Sequence, residues 1–371
     1  ENLVELERVN IRCQIAPHIL PSPYALHVTN ISPEQTVEPS LPNTFDFAQT
    51  LQEFIAKWSP ACWLGYNTIA FDELMMRQMF YQNLQPEIFA TQMNGNNRLD
   101  VMKMVMATHA EAPDALTWPL GDNGKTSFKL DRLAPANGFA HANAHDALAD
   151  VEATIFMFHK IQLGAPSLFA KLLKVREKAI ILSELKSYLP MEITLRFGGN
   201  APKTYQGCYC GTSKDNSNTI GFADFDLNDA AELSGASELE VTNLIEGSPK
   251  KIRTLAVNKS ETFRLINHPT ASMLEFCETV KQSADLRAYV SQVLSERYEE
   301  RDDADLEVEE KIYSGFYGKL DKDLLSEFQK ASWVERVSIV NSFEDVRLRQ
   351  LGKRLIAFYA PELLSAEQQN A

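Results

Sequence analysis

Residues 61–73 have the sequence ACWLGYNTIAFDE, in which a short apolar strand leads through a polar loop into the start of a helix. The apolar run Ala61–Gly65 is typical of a buried strand, and Asp72 stands where the next helix begins. The other elements predicted in this half are a strand at 9–15, helices at 46–58, 72–83 and 145–163, and a helix or strand-to-helix turn at 99–109. Strands interleaved with helices indicate an α/β domain around a mixed sheet.

The sequence changes character from Met191, where short strand-like runs are separated by turns rich in Gly, Asn and Ser. These runs, at 191–197, 219–225 and 251–258, predict a small β-rich domain. After residue 271 the pattern is helical, with predicted helices at 273–297, 306–316, 319–331, 333–341 and 345–359. We therefore predict three domains, at 1–165, 166–270 and 271–371.

Composition bounds the class of protein. The 371 residues are 44% hydrophobic, which suits two or three globular domains. The five cysteines are odd in number and scattered, which argues against a disulfide framework. No apolar run approaches the ~20 residues of a membrane span and no leader opens the chain, so we expect a cytoplasmic protein. The net charge of −14 counts mildly against nucleic-acid binding, although a local groove can still be positive.

The densest chemical signal is the segment HANAHDALAD at 141–150. Asp146 can cap a helix, and Asp150, one turn further on, can then face a metal ion. His145 on the preceding loop can reach the same site as a general base. A capped helix with two exposed acids and a loop histidine is the simpler interpretation, and it is favoured if this segment stands alone.

The second signal follows the strand at 61–65. Functional residues of α/β sheets collect at the carboxyl ends of strands, so Asp72 lies where a metal ligand is useful. Tyr66 and Phe71 are placed to stack against bases. The alternative is an ordinary helix N-cap flanked by two core aromatics.

Together the two segments resemble the histidine-containing form of the DEDD exonuclease superfamily. Asn67-x-x-x-Phe71-Asp72 matches its second motif, and His145-x-x-x-x-Asp150 matches its third. The resemblance is most specific to the bacterial exonuclease I family, on the stretches 25–34, 64–73, 98–102, 117–119, 127–133, 136–154, 257–259 and 312–316. It implies a ribonuclease H-like exonuclease domain, an SH3-like β domain and a C-terminal helical domain that together clamp single-stranded DNA.

The resemblance also implies a mechanism and partners. The family hydrolyses single-stranded DNA in the 3′→5′ direction to 5′-mononucleotides with two Mg²⁺ ions, for which Mn²⁺ is a substitute, and it serves DNA repair and recombination. His145 would be the general base, and Asp72 and Asp150 metal ligands. The implied substrate-binding residues are Tyr66, Asn67, Phe71, Arg77, Lys129 and Lys259. A monomer is expected, and its implied protein partner is the acidic, Phe-terminated tail of bacterial single-stranded DNA-binding protein.

One element of the family pattern is missing. The family carries a D-x-E pair on its first strand, but residues 1–8 (ENLVELER) contain no such motif. Glu5 and Glu7 are embedded in polar sequence and not on a buried strand. Two carboxylates and a histidine should bind Mg²⁺ poorly, so we expect the printed chain to be inactive. Because residue 1 is Glu and not Met, we interpret the missing motif as lying in a segment outside this sequence.

Two other interpretations remain open. The first is a non-catalytic clamp that binds single-stranded DNA and has lost the first motif. The second is a nuclease of the same superfamily that acts on RNA or proofreads for a polymerase. The β and helical domains predicted after residue 190 argue against this second alternative, because a proofreading subunit does not normally need them.

Overall fold

The chain forms two units that are interleaved along the sequence. The first unit comprises residues 1–61, 71–96 and 301–371, and the second comprises 62–70 and 97–300. The structure is a computed structural model, which describes residues 3–140, 147–259, 262–297 and 303–365. The three predicted domains have different boundaries from these units and stay a prediction.

The described residues form both helices and strands. The helices are α1 (Pro23–Thr29), α2 (Thr44–Trp58), α3 (Asp72–Gln82), α4 (Val101–Glu111), α5 (Leu130–Ala136), α6 (Ala147–Gly164), α7 (Pro166–Leu173), α8 (Lys178–Lys186), α9 (Ala230–Ser234), α10 (Glu238–Glu246), α11 (Ala271–Gln282), α12 (Ala284–Glu296), α13 (Lys319–Lys330), α14 (Trp333–Ser342) and α15 (Val346–Tyr359). The strands are β1 (Cys62–Gly65), β2 (Asn97–Asp100), β3 (Met191–Leu195), β4 (Lys203–Thr212), β5 (Thr219–Asp224), β6 (Ile252–Ala256) and β7 (Arg264–Leu265). None of the helices in the described ranges is long and apolar enough to span a membrane.

The first unit is helical. Asn43 caps α2 by accepting a hydrogen bond from the backbone N–H of Asp46. The apolar faces of α2, α3, α13, α14 and α15 share one core, which includes Phe45, Tyr81 and Phe328. The helices predicted at 46–58, 72–83, 319–331, 333–341 and 345–359 are thus confirmed. The helix predicted at 306–316 is wrong, because the chain forms only a short 3₁₀ segment at Val308–Tyr313 with a kink at Lys311.

The strand predicted at 9–15 is also wrong. Its residues have no regular secondary structure and join no sheet in the described part of the chain. The backbone N–H of Gln14 donates to the carbonyl of Pro42, and that of Ile15 to the carbonyl of Thr36. These two bonds run to a 3₁₀ turn at Glu34–Val37 and to the loop before α2, and an apolar run without a neighbouring strand does not form a sheet by itself.

The second unit contains two sheets. β1 and β2 are parallel, with Gly65 opposite Asp100 at their carboxyl ends, and α4 follows β2 at once. The other sheet is antiparallel with the order β6-β5-β4-β3-β7. One core joins α4, α6 and α7 to this sheet through residues such as Val105, Met157 and Phe222. The α/β character and the predicted strands at 191–197, 219–225 and 251–258 are confirmed.

Two features of the second unit differ from the sequence prediction. The prediction did not include β4, because Gly207 and Gly211 weaken its strand pattern. Both glycines are required by packing, since a Cβ on Gly207 would lie 2.2 Å from the Ala223 carbonyl oxygen and one on Gly211 2.8 Å from the Val290 side chain. The single helix predicted at 273–297 is two helices that meet at Ser283, whose hydroxyl donates to the Thr279 carbonyl.

A buried arginine joins α4 to the antiparallel sheet. Arg264 on β7 is 2% exposed and forms ion pairs with Glu111 at the end of α4 and with Glu192 on β3. It also donates to the Thr262 carbonyl at 2.7 Å and to the Thr194 hydroxyl at 3.2 Å. An arginine this deeply buried is tolerated because its donors are matched by acceptors.

Candidate active site

The loop after β1 is held by the end of β2. Asn67 has a φ of +62°, in the left-handed region, and its backbone N–H donates to Asp100 Oδ1 at 2.9 Å. The same oxygen accepts from the N–H of Met102 at 3.0 Å and so caps α4. Gly65 is required here, since a Cβ would lie 2.1 Å from the Thr68 methyl group. The loop that carries Tyr66 and Asn67 is therefore fixed by a buried carboxylate.

Asp100 is a positioning residue that the sequence prediction did not include. It is 1% exposed, and burial raises the pKa of its carboxyl, while hydrogen bonds from the backbone of Asn67, Met102 and Lys103 and the charge of Lys103 oppose the rise. Its signal in the sequence is a single acid directly before the mostly apolar run 101–107, at the end of the short segment 97–100. The parallel pairing that brings it beside Gly65 could not be derived from that pattern alone.

An open cavity of about 700 Å³ in the second unit gathers four predicted site residues, namely Tyr66, Asn67, Lys129 and Asp150. Asp150 is half-buried in the first turn of α6. The wall also includes Lys125, Asp131, Arg132 and Arg196. Residues from β1, α5, α6 and the end of β3 thus meet at one surface.

Tyr66 fixes one side of this cavity. Its hydroxyl donates to the carbonyl of Phe128 at 2.5 Å. Burial, followed by the nearby carboxylates of Asp100 and Asp131, raises the pKa of the Tyr66 hydroxyl far above its usual range. The group therefore stays protonated and holds the segment before Lys129 in place. The predicted stacking of Tyr66 on a base stays a prediction.

The cavity has more basic than acidic side chains among those that line it. Lys125 and Lys129 are exposed, and the Arg196 guanidinium lies 4.8 Å from the centre of the Phe128 ring. Arg132 pairs with Asp122 at 2.8 Å. Asp131 Oδ1 is buried and has no hydrogen-bond partner in the described ranges. With four basic and three acidic side chains, the wall carries a small excess of positive charge in spite of the net charge of −14.

Three predicted site residues lie in the first unit. Asp72 begins α3 and is exposed. Partial burial of its carboxyl raises the pKa of that group, while a hydrogen bond from its own backbone N–H opposes the rise. Phe71 is 63% exposed. Arg77 is largely buried, pairs with Glu73 at 2.9 Å and lies over the Phe89 ring at 5.1 Å. Glu73 thus already engages the Arg77 guanidinium in this structure. The predicted contact of Arg77 with the DNA backbone stays a prediction.

Lys259 follows β6 and is exposed. Its backbone carbonyl accepts from Lys103 Nζ at 2.5 Å, and the carbonyl of Asn258 accepts from Arg98 at 2.6 Å. The segment that carries Lys259 is therefore tied to β2 and α4 within the second unit. Its role in DNA binding stays a prediction.

The remaining predicted residue, His145, lies outside the described residues, as does Asp146. Carboxylate oxygens such as those of Asp72 and Asp150 are the donors that Mg²⁺ prefers. Over the described ranges, however, no group of three or more His, Cys, Asp or Glu side chains is arranged to hold a metal ion. The donor chemistry fits magnesium, and a complete cage needs further ligands.

Comparison with known sequences gives one consistent result. A family model described as an exonuclease matches residues 1–158. Exodeoxyribonuclease I of Buchnera aphidicola (strain APS) is 26% identical over 360 residues, which cover 91% of this chain and 85% of that protein. The Haemophilus influenzae protein of the same name is 28% identical, covering 93% and 77%. The Escherichia coli protein is 36% identical over 166 residues, which cover 45% of this chain and 34% of that protein.

Solved structures agree on the fold. Escherichia coli exonuclease I bound to a dA16 oligonucleotide superposes with a TM-score of 0.80 at 23% identity, covering 96% of this chain and 80% of that one. A moderately thermophilic exonuclease I from Methylocaldum szegediense gives a TM-score of 0.79 at 25% identity, covering 98% and 80%. The predicted resemblance of this sequence to the exonuclease I family is confirmed.

Proposed function

We propose that this chain, a homologue of the bacterial exodeoxyribonuclease I proteins, is a 3′→5′ exonuclease that releases 5′-mononucleotides from single-stranded DNA. The observation that carries the proposal is the cavity of the second unit. It combines a half-buried carboxylate, Asp150, with the basic side chains of Lys125, Lys129 and Arg196. That pairing suits a phosphodiester, which needs cations around its oxygens and a carboxylate that can hold a metal ion.

Each group has a proposed part in the reaction. By the family resemblance, Asp150 and Asp72 are the carboxylates that would hold Mg²⁺ or Mn²⁺, and such an ion would supply charge stabilisation and an activated water. His145 accepts the proton of the attacking water. Lys129 and Arg196 neutralise phosphate oxygens beside the site. Asp100 acts through the loop at 65–70, because it holds the backbone of Asn67 in place.

The wider organisation is also a proposal. The antiparallel sheet β3–β7 would be the SH3-like domain of a three-domain protein divided at 165 and 270. Phe71, Arg77 and Lys259 would contact the DNA strand, and Tyr66 and Asn67 the nucleotide at its 3′ end. We infer a cytoplasmic monomer with a role in DNA repair and recombination, as the relationship to exodeoxyribonuclease I supports.

A single-strand-binding protein without catalysis is the second candidate. It is favoured by one observation, namely that the described residues contain no group of three potential metal ligands. The 371-residue chain also carries no D-x-E motif among residues 1–8. On this second candidate, the chain would bind single-stranded DNA and cleave it little or not at all.

Binding to single-stranded DNA tests the proposal without catalysis. Affinity for a fluorescent oligothymidylate in EDTA should fall about 100-fold or more between about 50 and 500 mM salt, if about four phosphates are contacted. Lys129→Met should make the slope shallower by about 0.7 in log–log units. Lys250→Met removes an exposed lysine that does not line the cavity and should leave the slope unchanged. Salt-independent binding, or none at low salt, contradicts the proposal.

A partner is proposed from the same relationship. One similar solved structure is an SSB/exonuclease I complex with an inhibitor. We propose that this chain binds the acidic, Phe-terminated tail of single-stranded DNA-binding protein, using a cation for the carboxylate and an apolar slot for the ring. Candidate cations lie at 171–178 and 347–354. Arg347 is already paired with Asp345, whereas Lys174 and Lys178 are exposed.

A peptide that copies the tail should therefore bind this chain with an affinity in the micromolar range, about −8 kcal/mol. Isothermal titration checks this value. The matched control is the same peptide without its final Phe, which should bind much more weakly because the apolar slot stays empty. Equal binding of the two peptides would remove the partner from the proposal and leave the nuclease assignment intact.

A further inference from the structure

A hairpin loop beside the cavity presents an exposed aromatic ring. Residues 196–202 connect β3 to β4, and Phe197 in this loop is 52% exposed. A hydrogen bond within the loop restrains its backbone, because Arg196 Nε donates to the Asn200 carbonyl at 2.9 Å. Gly198 adopts a φ of +59°, which a residue with a side chain rarely does. Phe197 is thus carried by a loop of defined shape.

Phe197 belongs to a cluster of rings and cations on the antiparallel sheet. Its ring meets that of Tyr205 edge to face, with centroids 6.1 Å apart. The Arg253 guanidinium lies 3.8 Å from the Tyr205 ring centre and 5.7 Å from that of Phe197. Lys203 Nζ lies 5.1 Å from the Tyr205 ring centre. Both rings therefore lie within cation–π distance of Arg253, and the Tyr205 ring also lies within that distance of Lys203.

The arginine of this cluster is held firmly. Arg253 pairs with Asp224 on the neighbouring strand at 2.9 Å, and the two side chains are 11% and 3% exposed. Its Nε is buried without a hydrogen-bond partner in the described part of the chain. A stacked and paired guanidinium loses little conformational entropy when a further ring or a phosphate joins it.

The cluster also adjoins the cavity. Arg196, the residue before Phe197, lines the cavity together with Lys125. Lys125 Nζ lies 3.8 Å from where a Cβ on Gly199 would stand, so the loop and the cavity wall are in contact. Positively charged side chains are thus present at the cavity wall, in Lys125 and Arg196, and at the start of β4, in Lys203.

We propose that Phe197, Tyr205 and Arg253 form a stacking platform for one unpaired base of the DNA strand whose 3′ end lies in the cavity. Base–aromatic stacking with adjacent arginine is how single strands are held without regard to sequence. A base inside a duplex has both faces covered and must be unstacked at a cost first. The platform therefore selects single strands. This inference rests on the proposed function and assigns three residues that it does not use.

Replacing the ring tests the platform. Phe197→Ala should weaken binding of a fluorescent oligothymidylate to the 371-residue chain, in EDTA at low salt, about 5- to 100-fold. Phe197→Trp should retain binding, because indole also stacks. The control is Tyr24→Ala, which removes a ring that is 77% exposed in the first unit and should change nothing. Thermal unfolding of each variant checks that the fold persists, as expected for a half-exposed ring.

A second experiment tests whether the contact that Phe197→Ala removes is a contact with a base. Oligonucleotides with one abasic position, moved stepwise from the 3′ end, should reveal one position at which the wild type loses affinity and Phe197→Ala loses none further. Additive losses at every position, or unchanged binding by Phe197→Ala, overturn the platform while DNA binding survives. If the wild type binds no single-stranded DNA at all, the proposed function fails, and the platform fails with it.

Discussion

Replacing Asp150 by asparagine is expected to lower the rate of nucleotide release at least about 100-fold, because an amide cannot replace a carboxylate that holds a catalytic metal ion. The assay measures nucleotides released from single-stranded DNA in the presence of Mg²⁺. Asp150 is half-buried in the wall of the cavity, and the substitution preserves its shape, so the fold should not change. His145→Ala should cost a similar factor through loss of the general base.

Two controls make this result specific. Asp114→Asn changes an exposed acid that does not line the cavity, and it should leave the rate unchanged. Affinity of Asp150→Asn for single-stranded DNA in EDTA should stay near that of the wild type, because the carboxylate does not contact phosphate without a metal ion. A rate near normal for Asp150→Asn removes it from the catalytic site, whatever else the protein does.

The second large effect concerns stability. Arg264→Met should lower the free energy of unfolding by about 3 kcal/mol, because it leaves the carboxylates of Glu111 and Glu192 without their buried partner. The estimate takes the low end for a broken buried pair, since the Glu111 side chain remains 24% exposed. Urea unfolding followed by circular dichroism measures the change in the transition that reports on the second unit.

The matched control is Arg12→Met, at an exposed arginine, which should shift the unfolding free energy by less than about 0.5 kcal/mol. Adding Glu111→Gln and Glu192→Gln to Arg264→Met should recover part of the loss, because neutral amides are cheaper to leave unpaired than carboxylates. If Arg264→Met is as stable as the wild type, the ion pairs do not hold α4 to the sheet.

Local pattern predicted the helices well and the strands less well. The helix at 46–58 has a cap and an apolar stripe that are both visible in the sequence, so only its first turn differed. The strand predicted at 9–15 has the right composition, but a strand also needs a neighbour, which local pattern does not supply. The strand β4 was not predicted because its glycines weaken the local strand pattern. Those glycines are required by contacts with Ala223 and Val290, which are distant in sequence.

Site residues that belong to a sequence motif could be predicted, whereas those that tertiary packing brings to the site could not. The motifs identified Tyr66, Asn67 and Asp150, which the fold brings to one cavity. Asp100 and Arg196 have no such motif: strand pairing places Asp100 opposite Gly65, and the β3–β4 connection places Arg196 in the cavity wall. The net charge of −14 is an average over the whole chain and does not report the cavity wall, which has four basic and three acidic side chains.

The activity that we propose for this protein is the degradation of single-stranded DNA from its 3′ end. Its most direct test is a time course with a 5′-labelled single strand and the matching blunt duplex, in Mg²⁺, in the assay used for Asp150→Asn. The labelled strands should shorten stepwise from the 3′ end with release of 5′-mononucleotides, and the duplex should stay largely intact. Early release of the 5′ label, internal cuts, or equal rates on duplex would contradict it.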